Sequence, residues 1–367
     1  MSESERSDSA GPPPESLSTP AFETLENAAS TVLRTAAEIA ASRPAAPVSQ
    51  EWQGAFAAAR TAVSASADQA AAIAAFGLEN LVHREVLALA APAAAIVRTL
   101  AATAVELRAI GRAGLAVALA SLTIEIAGQP DLTAALPFFV CLEALVRARL
   151  AHDAGGHGPH AASSYWQIAH REAAMARGAG LVLCGGLSGS GKSFVGTGLA
   201  ATLGAVILNS DRARKELAGI ESNVRTPASR SAQVYSTRMT DRVYRQLARR
   251  STDLLGSGRP VVLDATFLTP ARRKPPLRVA QEMGAPAAIV WCDLPQAEAA
   301  ARLRRRTERQ WAVSDADARI RALQRSGAQP PAGDECGARL LRVDASADPA
   351  TLFERLIPRL RRALSYA

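Results

Sequence analysis

The chain has 367 residues, 48% of them hydrophobic and 21% charged, enough apolar text for two ordinary domains and too much for a wholly disordered chain. Aromatics make up only 4% and alanine about a fifth, which favours helices packed through small side chains over a β-sandwich or barrel. The net charge of +8 is uneven: residues 1–175 carry −6 and residues 176–367 carry +14, so the second half is expected to meet an anion.

In chain order, residues 1–20 are rich in Ser, Pro and Glu and are expected to be a disordered tail. Residues 21–151 read as an all-α domain. Its predicted helices are Phe22–Ser42, Gln50–Phe76, Leu78–Ala90, Ala93–Arg108, Ala113–Ala127 and Leu132–Ala151, punctuated by Pro44, Pro47, Pro92, Pro130 and Pro137. The stretch HDAGGHGPH opens a predicted linker over 152–164. Its three histidines match no closed zinc spacing. A helix over Tyr165–Ala176 then leads into the second domain, 165–367.

From Gly178 short β-branched runs alternate with helical stretches. The predicted strands are Leu181–Cys184, Ala205–Leu208, Val261–Asp264, Ala287–Cys292 and Leu340–Val343. The helices between and after them are Lys192–Leu203, Ala232–Leu255, Pro270–Met283, Gln296–Arg309, Asp315–Arg325 and Thr351–Leu364. This alternation predicts an α/β fold, a parallel five-stranded sheet with helices on both faces, preceded by the all-α domain. The two halves are expected to be separable, with a fragment from Ala161 onward folding and binding nucleotide.

No uncharged apolar run reaches the roughly 18 residues of a membrane span, and the acidic opening text lacks the apolar centre of a secretory signal. Cys141, Cys184, Cys292 and Cys336 have no CxxC spacing, as expected of reduced thiols. The expectation is a cytoplasmic protein with no membrane partner; the sequence leaves its oligomeric state open.

Gly186, Leu187, Ser188, Gly189, Ser190, Gly191, Lys192 and Ser193 fit GxxxxGK[ST] at every fixed position, between a strand and a helix. Glycines there let successive backbone N–H groups form an anion nest, and the following helix adds its positive dipole end. Lys192 can reach the β- and γ-phosphates, and the Ser193 hydroxyl can ligate Mg²⁺. ATP or GTP with Mg²⁺ is the expected ligand.

The second strand runs into Asn-Ser-Asp211-Arg-Ala-Arg214. A carboxylate at the carboxyl end of a parallel strand faces the ligand crevice, where Asp211 can take a proton from an acceptor hydroxyl. Arg214, one helical turn on, can hold an anionic group; the competing reading makes Ser210 or Asp211 a helix cap. The third strand ends in Asp264, placed to hold Mg²⁺ beside the phosphates, with Thr266 close behind. Arg272 and Arg273 follow and can contact acceptor or phosphate or form a solvated face. Arg302, Arg304, Arg305, Arg306 and Arg309 lie in one helical stretch. Of these, Arg302, Arg305 and Arg309 share a face that can close as a lid on the transferring phosphoryl group. No NKxD-type guanine-reading tetrapeptide and no second phosphate loop occur, which points away from a GTPase or a ring ATPase.

The texts GLSGSGKS, SDRARKELAG and VVLDATFLTPARR resemble P-loop kinases of the AAA_33/zeta-toxin-like group, and the DxxR and DATF stretches are similar to the kinase module of polynucleotide kinases. The resemblance covers about residues 178–365. It implies a P-loop NTPase fold of kinase type, ATP with Mg²⁺, Asp211 as base and Arg214 as the residue that orients the acceptor. Such modules often follow an aminoglycoside-phosphotransferase-like domain, and Val105–Ala151 resembles the last helices of that partner. The HGDxxxxN catalytic loop and the strand-rich lobe of such enzymes are missing, so this half would be a truncated remnant.

The expected function is an ATP-dependent phosphotransferase acting on a hydroxyl of a small-molecule or nucleotide acceptor. The alternatives are an ATP-binding or hydrolysing switch whose helical domain docks a partner, and a nucleic-acid 5′-hydroxyl kinase. The absence of aromatics interleaved with the basic residues argues against nucleic acid.

Overall fold

The computed structural model describes residues 19–42, 89–153, 158–175, 178–221, 224, 226–309 and 318–364. The predicted tail, save Thr19 and Pro20 at the start of the first helix, and the helix predicted over Gln50–Phe76 lie outside this set, as does nearly all of the one over Leu78–Ala90.

Five helices come first: α1 (Thr19–Ser42), α2 (Ala91–Ala109), α3 (Ala113–Ala127), α4 (Leu132–Asp153) and α5 (Gly158–Met175). The strands and helices that follow are β1 (Leu181–Gly185), α6 (Lys192–Leu203), β2 (Val206–Asn209), α7 (Ser210–Leu217), α8 (Ala228–Val234), α9 (Thr237–Gly256), β3 (Val261–Asp264), α10 (Pro270–Glu282), β4 (Ala287–Asp293), α11 (Gln296–Arg309), α12 (Ala318–Ser326), β5 (Arg339–Asp344) and α13 (Pro349–Leu364). All pairings in the sheet are parallel and the strand order is β2-β3-β1-β4-β5. This is an α/β fold, a parallel five-stranded sheet with helices on both faces.

Several boundaries differ from expectation for local reasons. The stretch Ala232–Leu255 is two helices, because Ser236 is extended and its hydroxyl accepts from the Met239 N–H at 3.2 Å, capping α9. Pro137 lies inside α4, in its second turn, where it has no N–H to give the Thr133 carbonyl. The predicted linker over 152–164 is largely helix: His152 and Asp153 end α4, and α5 begins at Gly158. Residues 154–157 lie outside the described set.

Strands β1, β3 and β4 are buried, and their alternating residues face two cores. Leu181, Leu183, Val261, Leu263 and Ile289 meet Val243, Leu247, Leu277 and Ala280 of α9 and α10. Val182, Cys184, Val262, Ala288 and Val290 face the other way, toward α6 and α13. That second core does not stop at the two helices: one continuous apolar cluster runs on through Val117, Leu122, Leu136, Phe139 and Leu145 of α3 and α4.

The helical region is therefore a third layer on α6 and α13. Sequence could not show it, because an alanine-rich face looks the same against its own domain or its neighbour. Three contacts fix the layer. The Ser121 hydroxyl donates to the Phe194 carbonyl at 2.5 Å, and the Thr133 hydroxyl donates to the Ala205 carbonyl at 2.8 Å. At Gly198 an added Cβ would stand 2.3 Å from the Phe353 ring and 3.1 Å from Val117, so only glycine lets α3, α6 and α13 meet there. Among the described residues, no helix is long and apolar enough to cross a membrane.

Candidate active site

The phosphate loop, residues 186–193, leaves the carboxyl end of β1 and runs into α6. Gly186 has φ 143°, and a Cβ there would meet the Cys292 carbonyl at 2.6 Å and the Ser190 hydroxyl at 2.7 Å, so the first turn admits only glycine. Gly191 caps α6 in the left-handed region. Lys192 and Ser193 open that helix half-buried, at its positive dipole end. The Cys184 thiol, on β1 beneath the loop, donates to the Lys192 carbonyl at 3.1 Å.

Sheet register brings the carboxylates to the same edge. Asp264 pairs with Cys184 on one side and with Asn209 on the other. Its carboxylate is 1% exposed; Oδ2 accepts from the Asn209 amide nitrogen at 2.5 Å, while Oδ1 is buried without a hydrogen-bond partner. An orphaned carboxylate oxygen one strand from a phosphate loop is the donor that a hard divalent cation, or its water, takes up. The residues present thus fit Mg²⁺, with Asp264 and Ser193 as the groups to hold it.

Asp211 lies in the first turn of α7. The cap is neither Ser210 nor Asp211 but Asn209, whose Oδ1 accepts from the Asp211 N–H at 2.9 Å and the Arg212 N–H at 3.0 Å. Asp211 keeps a carboxylate that is 22% exposed. Arg214 is more enclosed than its expected role implies. Its guanidinium lies over the Tyr235 ring and donates to the Val234 carbonyl at 3.2 Å and the Thr240 hydroxyl at 3.1 Å. Its Nε is 3.9 Å from Asp211 Oδ1, so it braces α7 against α8 and α9 beside that carboxylate.

The two arginines after Thr266 part company. Arg273 is 1% exposed and holds Glu335 in a two-pronged pair at 2.7 and 2.8 Å. It also donates to the Phe267 and Gln329 carbonyls at 2.8 and 2.9 Å. These contacts make it a structural clamp, and the reading of Arg273 as an acceptor or surface residue is corrected. Phe267, which it holds, has φ 48°. Arg272 instead lies over the Tyr244 ring, whose hydroxyl bonds Thr266 at 3.2 Å.

Of the lid arginines, Arg302 reaches the loop: it stands 3.0 Å from where a Gly191 Cβ would lie and donates to the Ala345 carbonyl at 2.7 Å. Arg304 is exposed. The side chains of Arg305, Arg306 and Arg309 lie outside the described set.

Sequence reading missed α12's grip on the loop. Arg321 donates to the Ser188 carbonyl at 2.5 Å and the Leu294 carbonyl at 3.1 Å, while Gln324 Oε1 accepts from the Ser188 N–H at 2.9 Å. Burial, with Arg325 nearby, lowers the pKa of the Arg321 guanidinium from its ordinary value. The i, i+3 spacing of Arg321 and Gln324 was visible in the text, but nothing local said that this face meets the loop.

A GxxxxGK[ST] loop between a parallel strand and a helix, with Asp264 on the adjacent strand, is the arrangement of a P-loop nucleotide-binding domain. Residues 181–331 match the AAA_33 family model, described as an AAA domain. Uncharacterized proteins of Mycobacterium tuberculosis and Mycobacterium bovis are each 32% identical over 151 residues, 40% of this chain and 30% of theirs, so the match spans less than a third of those relatives. Among solved structures, a gluconokinase from Sinorhizobium meliloti is 22% identical, with a TM-score of 0.36 over 51% of this chain and 95% of its own. A sugar kinase from a Janibacter species is 15% identical, with a TM-score of 0.37 over 51% and 99%.

Proposed function

We propose that the chain is an ATP- and Mg²⁺-dependent phosphotransferase that moves the γ-phosphoryl group to a hydroxyl of a small-molecule or nucleotide acceptor. The observation that carries this reading is the pair of carboxylates at the carboxyl edge of the sheet, Asp264 with its orphaned oxygen on the strand next to β1 and Asp211 partly exposed just past the following strand. A nucleotide-binding site needs only the first. The second matches the base that a kinase requires.

In this reading the loop's N–H groups and Lys192 hold the phosphates, and Arg302, Arg305 and Arg309 neutralise the equatorial oxygens. Asp211 accepts the acceptor's hydroxyl proton as the new oxygen–phosphorus bond forms and the bond to the β-phosphate oxygen breaks, leaving ADP. Bound Mg²⁺ would neutralise charge on the β- and γ-phosphates. The helical region, on its text a truncated phosphotransferase remnant, serves to pack on the kinase module and orient it. One observation favours a second reading, a nucleotide switch: the Ser121 contact ties α3 to the first turn of the phosphate-loop helix.

The test is a product screen with purified protein, Mg²⁺ and γ-labelled ATP against metabolite and oligonucleotide pools. A labelled acceptor supports the kinase; ADP and free phosphate alone support the switch. Lys192→Ala should remove nucleotide-dependent thermal stabilisation while far-ultraviolet circular dichroism stays unchanged. Full stabilisation in that variant would overturn the phosphate-site assignment.

A further inference from the structure

Asn209 has no chemistry of its own, yet its amide touches both carboxylate systems. Its orientation is forced: the end facing α7 accepts from two backbone N–H groups, at 2.9 and 3.0 Å, which only the oxygen can do. The nitrogen must then face Asp264, to which it donates at 2.5 Å. Asn209 and Asp264 are also register partners on adjacent parallel strands, so their backbones are fixed relative to each other.

Two consequences follow from this geometry. With Oδ2 engaged, the carboxylate is held in one rotation about its terminal bond, and Oδ1 is the oxygen left buried and unpartnered. On the other side, the same amide anchors the backbone N–H of Asp211 itself. A displacement of Asn209 would therefore move the metal-facing oxygen and the base's backbone together.

We propose that Asn209 is the positioning residue that sets Asp264 toward the metal and Asp211 toward the acceptor through one amide. This deepens the phosphotransferase reading and rests on it. Hydrogen-bonded groups behind metal ligands orient them, and their loss costs about 10–100-fold in metal affinity or activity.

The two duties separate by substitution. Asn209→Ser and Asn209→Thr keep a cap for α7 but are too short to reach Asp264. The measurement is ATP binding by calorimetry, with Mg²⁺ and with EDTA, on the full chain. For both variants we expect metal-free affinity within about twofold of the parent and at least a ~10-fold loss of the increment that Mg²⁺ adds. Asp264→Asn is the reference for complete loss of the metal contact.

If Asp264→Asn loses the increment while both Asn209 variants keep it, the inference falls and the metal reading stands. If all three keep it, the metal reading itself falls. Loss of metal-free binding in both Asn209 variants would reduce the residue to a structural part and also overturn the proposal. Should Asn209→Ser fail to fold, Asn209→Thr alone decides between these outcomes.

Discussion

The Ser121 hydroxyl of α3 donates to the Phe194 carbonyl, two residues past Lys192, at 2.5 Å. The donor sits in the helical layer and the acceptor in the first turn of the phosphate-loop helix, so the two regions share a hydrogen bond as well as a core. A fragment beginning at Ala161 would uncover the faces of α6 and α13 that Val117, Leu122 and their neighbours cover. It is expected to aggregate and to bind a hydrophobic dye, read by size-exclusion chromatography and dye fluorescence. A monomeric, ATP-binding fragment would return the helical layer to the status of a separate domain.

Asp211→Asn keeps the size of the side chain but removes its capacity to take a proton. Because Asn209, not Asp211, caps α7, the substitution leaves the cap intact. ATP affinity is expected to stay within a few-fold while phosphoryl transfer falls by about two orders of magnitude or more. Transfer at the parent rate would place the base elsewhere.

Arg273→Ala tests the clamp. The substitution strands the Glu335 carboxylate and leaves the Phe267 and Gln329 carbonyls without the donor they now share. Removing one partner of a buried pair costs about 3–5 kcal/mol, somewhat less here because Glu335 is 20% exposed. Urea unfolding should show a loss of about 3 kcal/mol. A stable variant with weakened acceptor use would restore the substrate-contact reading.

The cysteines differ in reactivity by environment. A hydrogen bond with Cys292, then burial, then nearby negative charge raise the Cys184 thiol well above its ordinary pKa, against the pull of Lys192. A thiol whose pKa is raised keeps its proton through pH 8 and is a poor nucleophile there. Alkylation of native protein at pH 8 should therefore label half-buried Cys336 and spare Cys184, and denaturant should expose all four cysteines to labelling, read by mass spectrometry. Rapid native labelling of Cys184 would mean that β1 opens.

The parts of the site legible in the sequence were those whose meaning is local. The phosphate loop carries its own spacing, and the predicted bounds of α3, α6 and β3 coincide with the observed ones because glycine turns and apolar runs mark them in the text. Asp211 and Asp264 were singled out because parallel strands end where ligands bind. Asn209 was passed over for its neighbours because its importance lies in a register partner 55 residues away. Arg321 and Gln324 reach Ser188 across more than 130 residues. Arg273 was misjudged for the opposite reason: an arginine in the text does not say whether carbonyls and a carboxylate will enclose it.

Trp291 lies on β4 beside Gly185, the last residue of β1, where an added Cβ would touch the indole at 3.0 Å. The ring is 2% exposed and its Nε1–H donates to Asp293 at 2.9 Å. The chain thus carries an indole one residue from the start of the phosphate loop. Its fluorescence, isolated by comparison with Trp291→Phe, is expected to change as nucleotide reaches the loop, without any label on protein or ligand.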